Sequence, residues 1–110
     1  MKTIKFADNL VPLIISGEKT STWRLFDDKN LSQGDELSLI NSSSGKEFAT
    51  AQIISIREKI LKDINEDDFV GHEKFESREK MLAMYQKYYG DRATEDSVVK
   101  MIHFKILQLL

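Results

Sequence analysis

The chain of 110 residues contains no cysteine, only one proline and no long apolar run. The absence of cysteine excludes disulfides, thiolate zinc ligands and a cysteine nucleophile, and is compatible with a reducing cytoplasm. The longest apolar stretch, Leu10–Ile15, has six residues, far fewer than the roughly 20 needed to cross a bilayer. Because Met1–Lys5 lacks the features of a signal peptide, we expect a cytoplasmic protein without a membrane partner.

An excess of charge of either sign is also absent. Lys and Arg number 16 against 18 Asp and Glu, which gives a formal net charge of −2. Binding of nucleic acid would therefore require a local basic surface. With only two histidines and no cysteine, the sequence predicts neither a metal site nor another cofactor. Phosphate-loop, Rossmann and nucleophile-elbow motifs are missing, so those NTPase, oxidoreductase and hydrolase classes have no support.

No repeat or low-complexity segment divides the chain, and residues 1–110 are expected to form one domain. The first quarter predicts a strand ending near Phe6, a helix and a second strand over residues 19–25. Asp8 and Asn9 can cap the helix, and Gly17 can end it. Pro12 is tolerated in the first helical turn, where the amide groups have no intrahelical acceptor.

The remaining residues predict further strands and a second helix. Strands are indicated over 36–40, over 47–58 with a bulge, and over 98–106, while Ser77 and Gly90 bracket the helix. The fold class is therefore α+β and mainly β: five or six strands in a curved mixed sheet or small barrel, with two main peripheral helices. The predicted residues of one common core are Leu10, Leu13, Ile14, Leu37, Leu39, Ile53, Tyr85, Ile102 and Phe104.

The most unusual segment is Gly17–Arg24, with the sequence Gly-Glu-Lys-Thr-Ser-Thr-Trp-Arg. It places hydroxyl and cationic side chains where the first helix ends and a strand begins. In a strand, Thr20, Thr22 and Arg24 would share one face, and a bend at Gly17 could turn Lys19 inward. An interpretation without function is also open, in which the cations are solvated and the threonines only favour the strand.

This Gly-x-Lys-Thr-x-Thr-x-Arg pattern after an apolar helix resembles the ASCH domain family, which is related in fold to PUA RNA-binding domains. The later landmarks agree with the resemblance: Gln33–Asp35 before a strand, Gly71–Ser77 before the second helix, Tyr88–Gly90 at its end, and the final strand. The resemblance implies a PUA-like mixed β-barrel with a cleft lined by the Lys-Thr-x-Thr-x-Arg segment. It also implies binding of RNA or a nucleotide-like ligand.

Some similar small bacterial members hydrolyse the amide of N4-acetylcytidine with a Lys and a Thr from this segment and a Glu near the second helix. The resemblance thus implies catalytic roles for Lys19, Thr22 and Glu73, with Glu76 as the second choice for the carboxylate. A Lys, a Thr and a Glu recur by chance in many domains, so the three residues support catalysis only if they lie close together in the folded protein. A separation within about 4 Å between Lys19 and either carboxylate, with Thr22 in reach, would favour catalysis.

Ligand binding without catalysis requires only hydrogen-bonding, charged and stacking groups from the same segment. Arg24 could form a forked contact with phosphate, Lys19 could act as a point charge beside Thr20, and Trp23 could stack on a base. Core packing is nevertheless the favoured interpretation of Trp23 and of the tyrosines at 85, 88 and 89, which could otherwise present a stacking platform. The acidic run over 65–80 would repel a phosphate backbone and favours a nucleoside or short nucleotide over long RNA. A regulatory interaction module is a third possibility.

Overall fold

The computed structural model of the protein describes residues 1–110. Five strands form one sheet in the order β1-β3-β4-β5-β2, in which β1 and β3 are parallel and the other neighbours antiparallel. The strands are β1 Lys2–Phe6, β2 Ser21–Arg24, β3 Glu36–Asn41, β4 Glu47–Ile60 and β5 Val98–Leu109. The helices are α1 Val11–Ser16 and α2 Arg78–Tyr89, with 3-10 turns at Asp8–Leu10, Leu61–Asp63, Glu66–Phe69 and Gly90–Arg92. The mainly β fold with two helices is as predicted.

The sheet curls into a half-barrel, and polar contacts connect its two edge strands. Arg24 Nη2 at the end of β2 donates a hydrogen bond of 3.1 Å to the carbonyl of Lys5 in β1. The connection after β2 is also tied to β1, since Lys29 Nζ donates to the carbonyl of Thr3 at 2.6 Å. The predicted bulge in β4 is confirmed by shifts of its register with β5 at Thr50/Ala51 and Ile53/Ser55. Such bulges increase the local bend that a curled sheet needs.

Apolar side chains fill both faces of this sheet, which the prediction of one common core did not anticipate. The concave face holds Ile4, Phe6, Ile14, Leu31, Leu37, Leu39, Ala49, Ala51, Ile53, Ile102 and Phe104. The convex face, covered by α2, holds Trp23, Leu25, Leu61, Ile64, Met81, Tyr85, Ala93, Val99 and Met101. Because β5 contributes alternate residues to each cluster, it is buried on both sides.

The short helix α1 differs in detail from its prediction. Its start is not capped by the side chain of Asp8 or Asn9. Instead, Asp8 Oδ1 accepts a hydrogen bond of 2.8 Å from Asn41 Nδ2 at the end of β3. Within α1, Val11 and Ile14 are buried, while Leu13 is only half-buried, as is Leu10 just before the helix. Gly17 ends the helix in the left-handed conformation, as predicted.

The ends of α2 match their predictions. Ser77 caps the helix by accepting a hydrogen bond of 3.1 Å from the amide of Lys80, and the chain leaves the helix at Gly90. Tyr85 is buried, but Tyr88 lies exposed, so the prediction that Tyr88 faces the core was wrong. No helix in the structure combines the length and apolar character required to span a membrane.

Candidate functional site

Lys19 is a buried cation placed by the end of α1. Gly17 adopts a φ of 86°, and the amide of Lys19 then donates to the carbonyl of Leu13 at 3.0 Å. This tight turn directs the chain into β2 and leaves the Lys19 side chain only 3% exposed. A lysine is almost never buried to this extent without a partner.

The partner is Glu73, in the segment Gly71–Glu76 that precedes α2. Lys19 Nζ donates to Glu73 Oε2 at 2.6 Å, and the Glu73 side chain retains 33% of its exposure. Burial lowers the pKa of the Lys19 ammonium, and the contact with Glu73 offsets this only in part. Glu76, the second choice, is exposed and pairs with Lys80. The structure therefore brings Lys19 together with Glu73 and leaves Glu76 outside the site.

Gly71 holds the Glu73 segment against the start of β2. The amides of Thr20 and Ser21 both donate to the carbonyl of Gly71, at 2.9 and 3.1 Å. Gly71 has a φ of 77°, and a Cβ atom at this position would overlap Thr20 Oγ1. Both the left-handed backbone and the close approach of Thr20 require glycine here. This contact places Glu73 beside Lys19, although the two lie 54 positions apart in sequence.

Substitution Gly71→Ala is expected to destabilise the protein by about 2 kcal/mol and to separate Glu73 from Lys19. The left-handed backbone costs alanine about 1 kcal/mol, and the overlap with Thr20 adds a comparable amount. Gly45→Ala is the matched control, because Gly45 has a similar φ of 73° and open space around its Cβ position. Urea unfolding of both variants measures the difference. Equal destabilisation would show that Thr20 gives way without cost.

His72 lies beside the Lys19–Glu73 pair, a placement that was not predicted from the sequence. Its ring stacks on Trp23 with 4.0 Å between centroids, and its Nδ1 lies 2.7 Å from the carbonyl oxygen of Glu73. Burial, with the nearby Lys19 ammonium, lowers the pKa of His72 to about 4, so the ring is neutral near pH 7. A neutral ring can donate from Nδ1 to that carbonyl. Its position next to Glu73 was the only sequence signal for this role.

The threonines and the tryptophan of the Gly17–Arg24 segment lie in different environments. Thr22 is buried, and its neighbour across the sheet, Ile102, belongs to the concave cluster. The Thr22 hydroxyl forms no hydrogen bond with Lys19 or Glu73. Trp23 is buried on the convex face against Phe69 and His72, and its indole N–H has no partner. Thr20 is exposed and lies over Gly71.

The Arg24 side chain reaches β1, the opposite edge strand of the sheet. Its guanidinium lies 5.4 Å from the centroid of the Phe6 ring while Nη2 donates to the carbonyl of Lys5. Burial lowers the pKa of Arg24, and its Nε–H has no partner. Arg24 also lines a groove of about 400 Å³ that contains neither Lys19 nor Glu73. No three side chains of His, Asp or Glu converge as a metal site would require.

Residues 1–108 match the sequence model of the ASCH domain family. The chain belongs to this family. Among solved structures, an ASCH domain from Lactobacillus crispatus is 19% identical with a TM-score of 0.69, and the match covers 96% of this chain and 79% of that one. The ASCH protein of Zymomonas mobilis is 15% identical with a TM-score of 0.69, over 97% and 68% of the two chains.

A protein from Enterococcus faecalis has a TM-score of 0.78 at 15% identity, with 93% of this chain and 72% of that chain covered. No curated protein matches the sequence. At these identities the structural similarity concerns the fold alone. It agrees with the PUA-like architecture of the ASCH domain described above, in which a curled sheet of five strands carries two helices.

Proposed function

We propose that residues 1–110 form a single ASCH domain that binds RNA or a nucleotide-like ligand, with the Lys19–Glu73 pair contacting the edge of one base. The observation that carries this proposal is the asymmetry of the pair: the Lys19 side chain is 3% exposed, whereas the Glu73 side chain is 33% exposed. A ligand can therefore reach the acceptor first. The family supports the same function, because ASCH domains are related to RNA-binding PUA domains.

The two side chains provide a donor and an acceptor side by side. Cytosine presents the complementary arrangement, since its N4 amine donates and the adjacent N3 accepts. In the proposed complex Glu73 accepts a hydrogen bond from N4 while Lys19 donates to N3. The neutral ring of His72, through its contact with the Glu73 backbone, holds the carboxylate in place. Low local dielectric strengthens each of these contacts relative to water.

Charge near the site favours a short ligand. Several acidic residues of the 65–80 segment are paired in the structure, namely Glu66 with Lys74, Asp68 with Arg57 and Lys59, and Glu76 with Lys80. These pairs leave no excess of cations there for a long phosphate chain, whose binding depends on many phosphate contacts. A nucleoside, a nucleotide or a few nucleotides of single-stranded RNA fits this surface better.

The test is a calorimetric titration with cytidine and with N4,N4-dimethylcytidine. The dimethyl compound keeps the ring but lacks the N4–H donor, and it is expected to bind at least tenfold more weakly, because the Glu73 carboxylate then lacks its partner. Glu73→Gln, which keeps the size of the side chain, should weaken cytidine binding. Equal binding of both compounds to the folded protein would contradict the proposed contact.

Hydrolysis of N4-acetylcytidine is the second candidate function, and it is favoured by the 2.6 Å contact between Lys19 and Glu73. In this reaction, water attacks the acetyl carbonyl carbon, the bond from that carbon to N4 breaks, and acetate and cytidine form. Glu73 would accept the proton of the attacking water and return a proton to N4 as the amine leaves. Lys19 would stabilise the oxyanion that develops on the acetyl carbonyl. Chromatographic detection of the released cytidine and acetate measures this activity.

A further inference from the structure

A row of charged residues crosses three neighbouring strands, β2, β5 and β4. In the sheet register, Arg24 of β2 pairs with Lys100 of β5, and Lys100 pairs with Glu58 of β4. Side chains two positions apart on a strand share a face, so Lys100 lies on the concave face with Ile102. The concave core thus gives way to charged side chains along this row.

These residues line a groove of about 400 Å³ together with Asp27, Phe26 and Val98. Lys100 Nζ contacts Asp27 Oδ2 at 2.8 Å, and the groove holds two cations and two carboxylates. Such a balance does not suit a phosphate chain, which needs an excess of cations. It suits a neutral, planar group that carries both hydrogen-bond donors and acceptors, the chemistry of a nucleobase.

Phe26 has the two features of an aromatic platform held in place at a binding site. It is 41% exposed, and its backbone adopts a φ of 52°, which is unfavourable for a bulky side chain. The guanidinium of Arg92 lies 4.2 Å from its ring centroid, and Tyr89 meets the ring edge-on at 5.6 Å. Strain of this kind concentrates at ligand-binding positions, where the surrounding structure maintains it.

We propose that this groove is a second nucleobase subsite, in which a base stacks on Phe26 and its edge contacts the charged row of Arg24, Lys100 and Glu58. The inference rests on the proposed function, since it assigns a place to the nucleotide next to the one held at Lys19–Glu73. Arg24 links the two sites because it ends the strand that begins beside Lys19. From Thr20 to Arg24 the chain extends about 13 Å, so the two bases of a dinucleotide would occupy the sites extended and unstacked from each other. The Nε–H of Arg24 is buried and has no hydrogen-bond partner in the structure.

The experiment compares the binding of cytidine with that of the dinucleotides CpN and NpC, where N is each of the four bases. At least one dinucleotide should bind the native protein about tenfold more tightly than cytidine, through stacking on Phe26. Phe26→Gly removes the ring and also the strain of the left-handed backbone. This variant should lose the dinucleotide gain while it binds cytidine normally. The matched control is Asn30→Gly in the same loop, because Asn30 also has a φ of 52° and should keep the gain.

The outcomes separate the two proposals. Cytidine binding without any dinucleotide gain would overturn the second subsite and leave the Lys19–Glu73 site intact. A gain that survives Phe26→Gly, or that disappears equally in Asn30→Gly, would also overturn it. If dinucleotides bind but cytidine does not, and Phe26→Gly abolishes that binding, the subsite stands and the base contact at Glu73 fails. Absence of binding by both ligands overturns both proposals.

Discussion

Glu73→Ala is expected to lower the free energy of unfolding at pH 7 by about 3 kcal/mol, because it leaves the buried ammonium of Lys19 without a partner. Lys19 has no other anionic contact in the structure. Glu76→Ala is the matched control: Glu76 is exposed and pairs only with Lys80 one helical turn away, so its loss should cost less than about 0.5 kcal/mol. Urea unfolding of the two variants measures this difference.

The cost of Glu73→Ala should also depend on pH in a defined direction. Without the carboxylate, burial lowers the pKa of Lys19 further below its ordinary value of about 10.4. Between the folded and unfolded pKa values the unfolded chain binds more protons, so the stability of the variant rises with pH in this range. The deficit relative to the native protein should shrink between pH 7 and pH 10. A deficit that stays constant would contradict the buried ion pair as its cause.

Stability of the native protein should fall as the pH drops from about 6.5 toward 4. Burial and the Lys19 charge hold the pKa of folded His72 at about 4, whereas an unfolded histidine titrates near 6.5. The unfolded state binds more protons between these values, and folding is weakened accordingly. Burial opposes the ionisation of Glu73, but His72 and Lys19 together keep its pKa below the usual range, which extends the loss to lower pH.

Lys19→Arg is expected to reduce turnover of N4-acetylcytidine by about 10²–10⁴-fold if the amine takes part in proton transfer. Guanidinium keeps the positive charge but does not deprotonate in proteins. Cytidine binding distinguishes a role in proton transfer from a role as an anchor. If Lys19 only anchors the ligand as a cation, Lys19→Arg keeps most of the binding and Lys19→Ala loses it. Circular dichroism establishes that each variant is folded. Undiminished hydrolysis in both variants would remove Lys19 from the chemistry.

Local patterns in the sequence were sufficient to predict the strand order along the chain, the stop of α1 at Gly17, the cap at Ser77 and the bulge in β4. The bend at Gly17 allowed an inward Lys19 without requiring it, and the choice of Glu73 over Glu76 came from the family resemblance until the three-dimensional fold showed the pair. That choice depends on Gly71, whose carbonyl binds the start of β2. A contact between segments so distant in sequence leaves no periodic pattern.

Other features of the site had no local signal. Phe26 has a left-handed backbone, which is rare for a bulky residue. The sequence therefore indicated neither the conformation of Phe26 nor its exposure. Burial of β5 on both faces escaped prediction because Val99 and Met101 pack in one cluster with residues from distant parts of the chain, such as Trp23 and Leu61. His72 was missed because a single histidine is more often a hydrogen-bonded residue of no further role.

The central claim is that a nucleobase binds at the Lys19–Glu73 pair, and NMR of protein with ¹³Cε-labelled lysine tests it most directly. The spectrum of Lys19→Arg assigns the Lys19 signal by its absence. On titration with cytidine, the account predicts that the Lys19 signal and the Glu73 amide shift together and saturate with one dissociation constant, and that Glu73→Gln weakens this response. Cytidine binding that leaves the Lys19 signal unmoved, while shifting residues elsewhere, would contradict it.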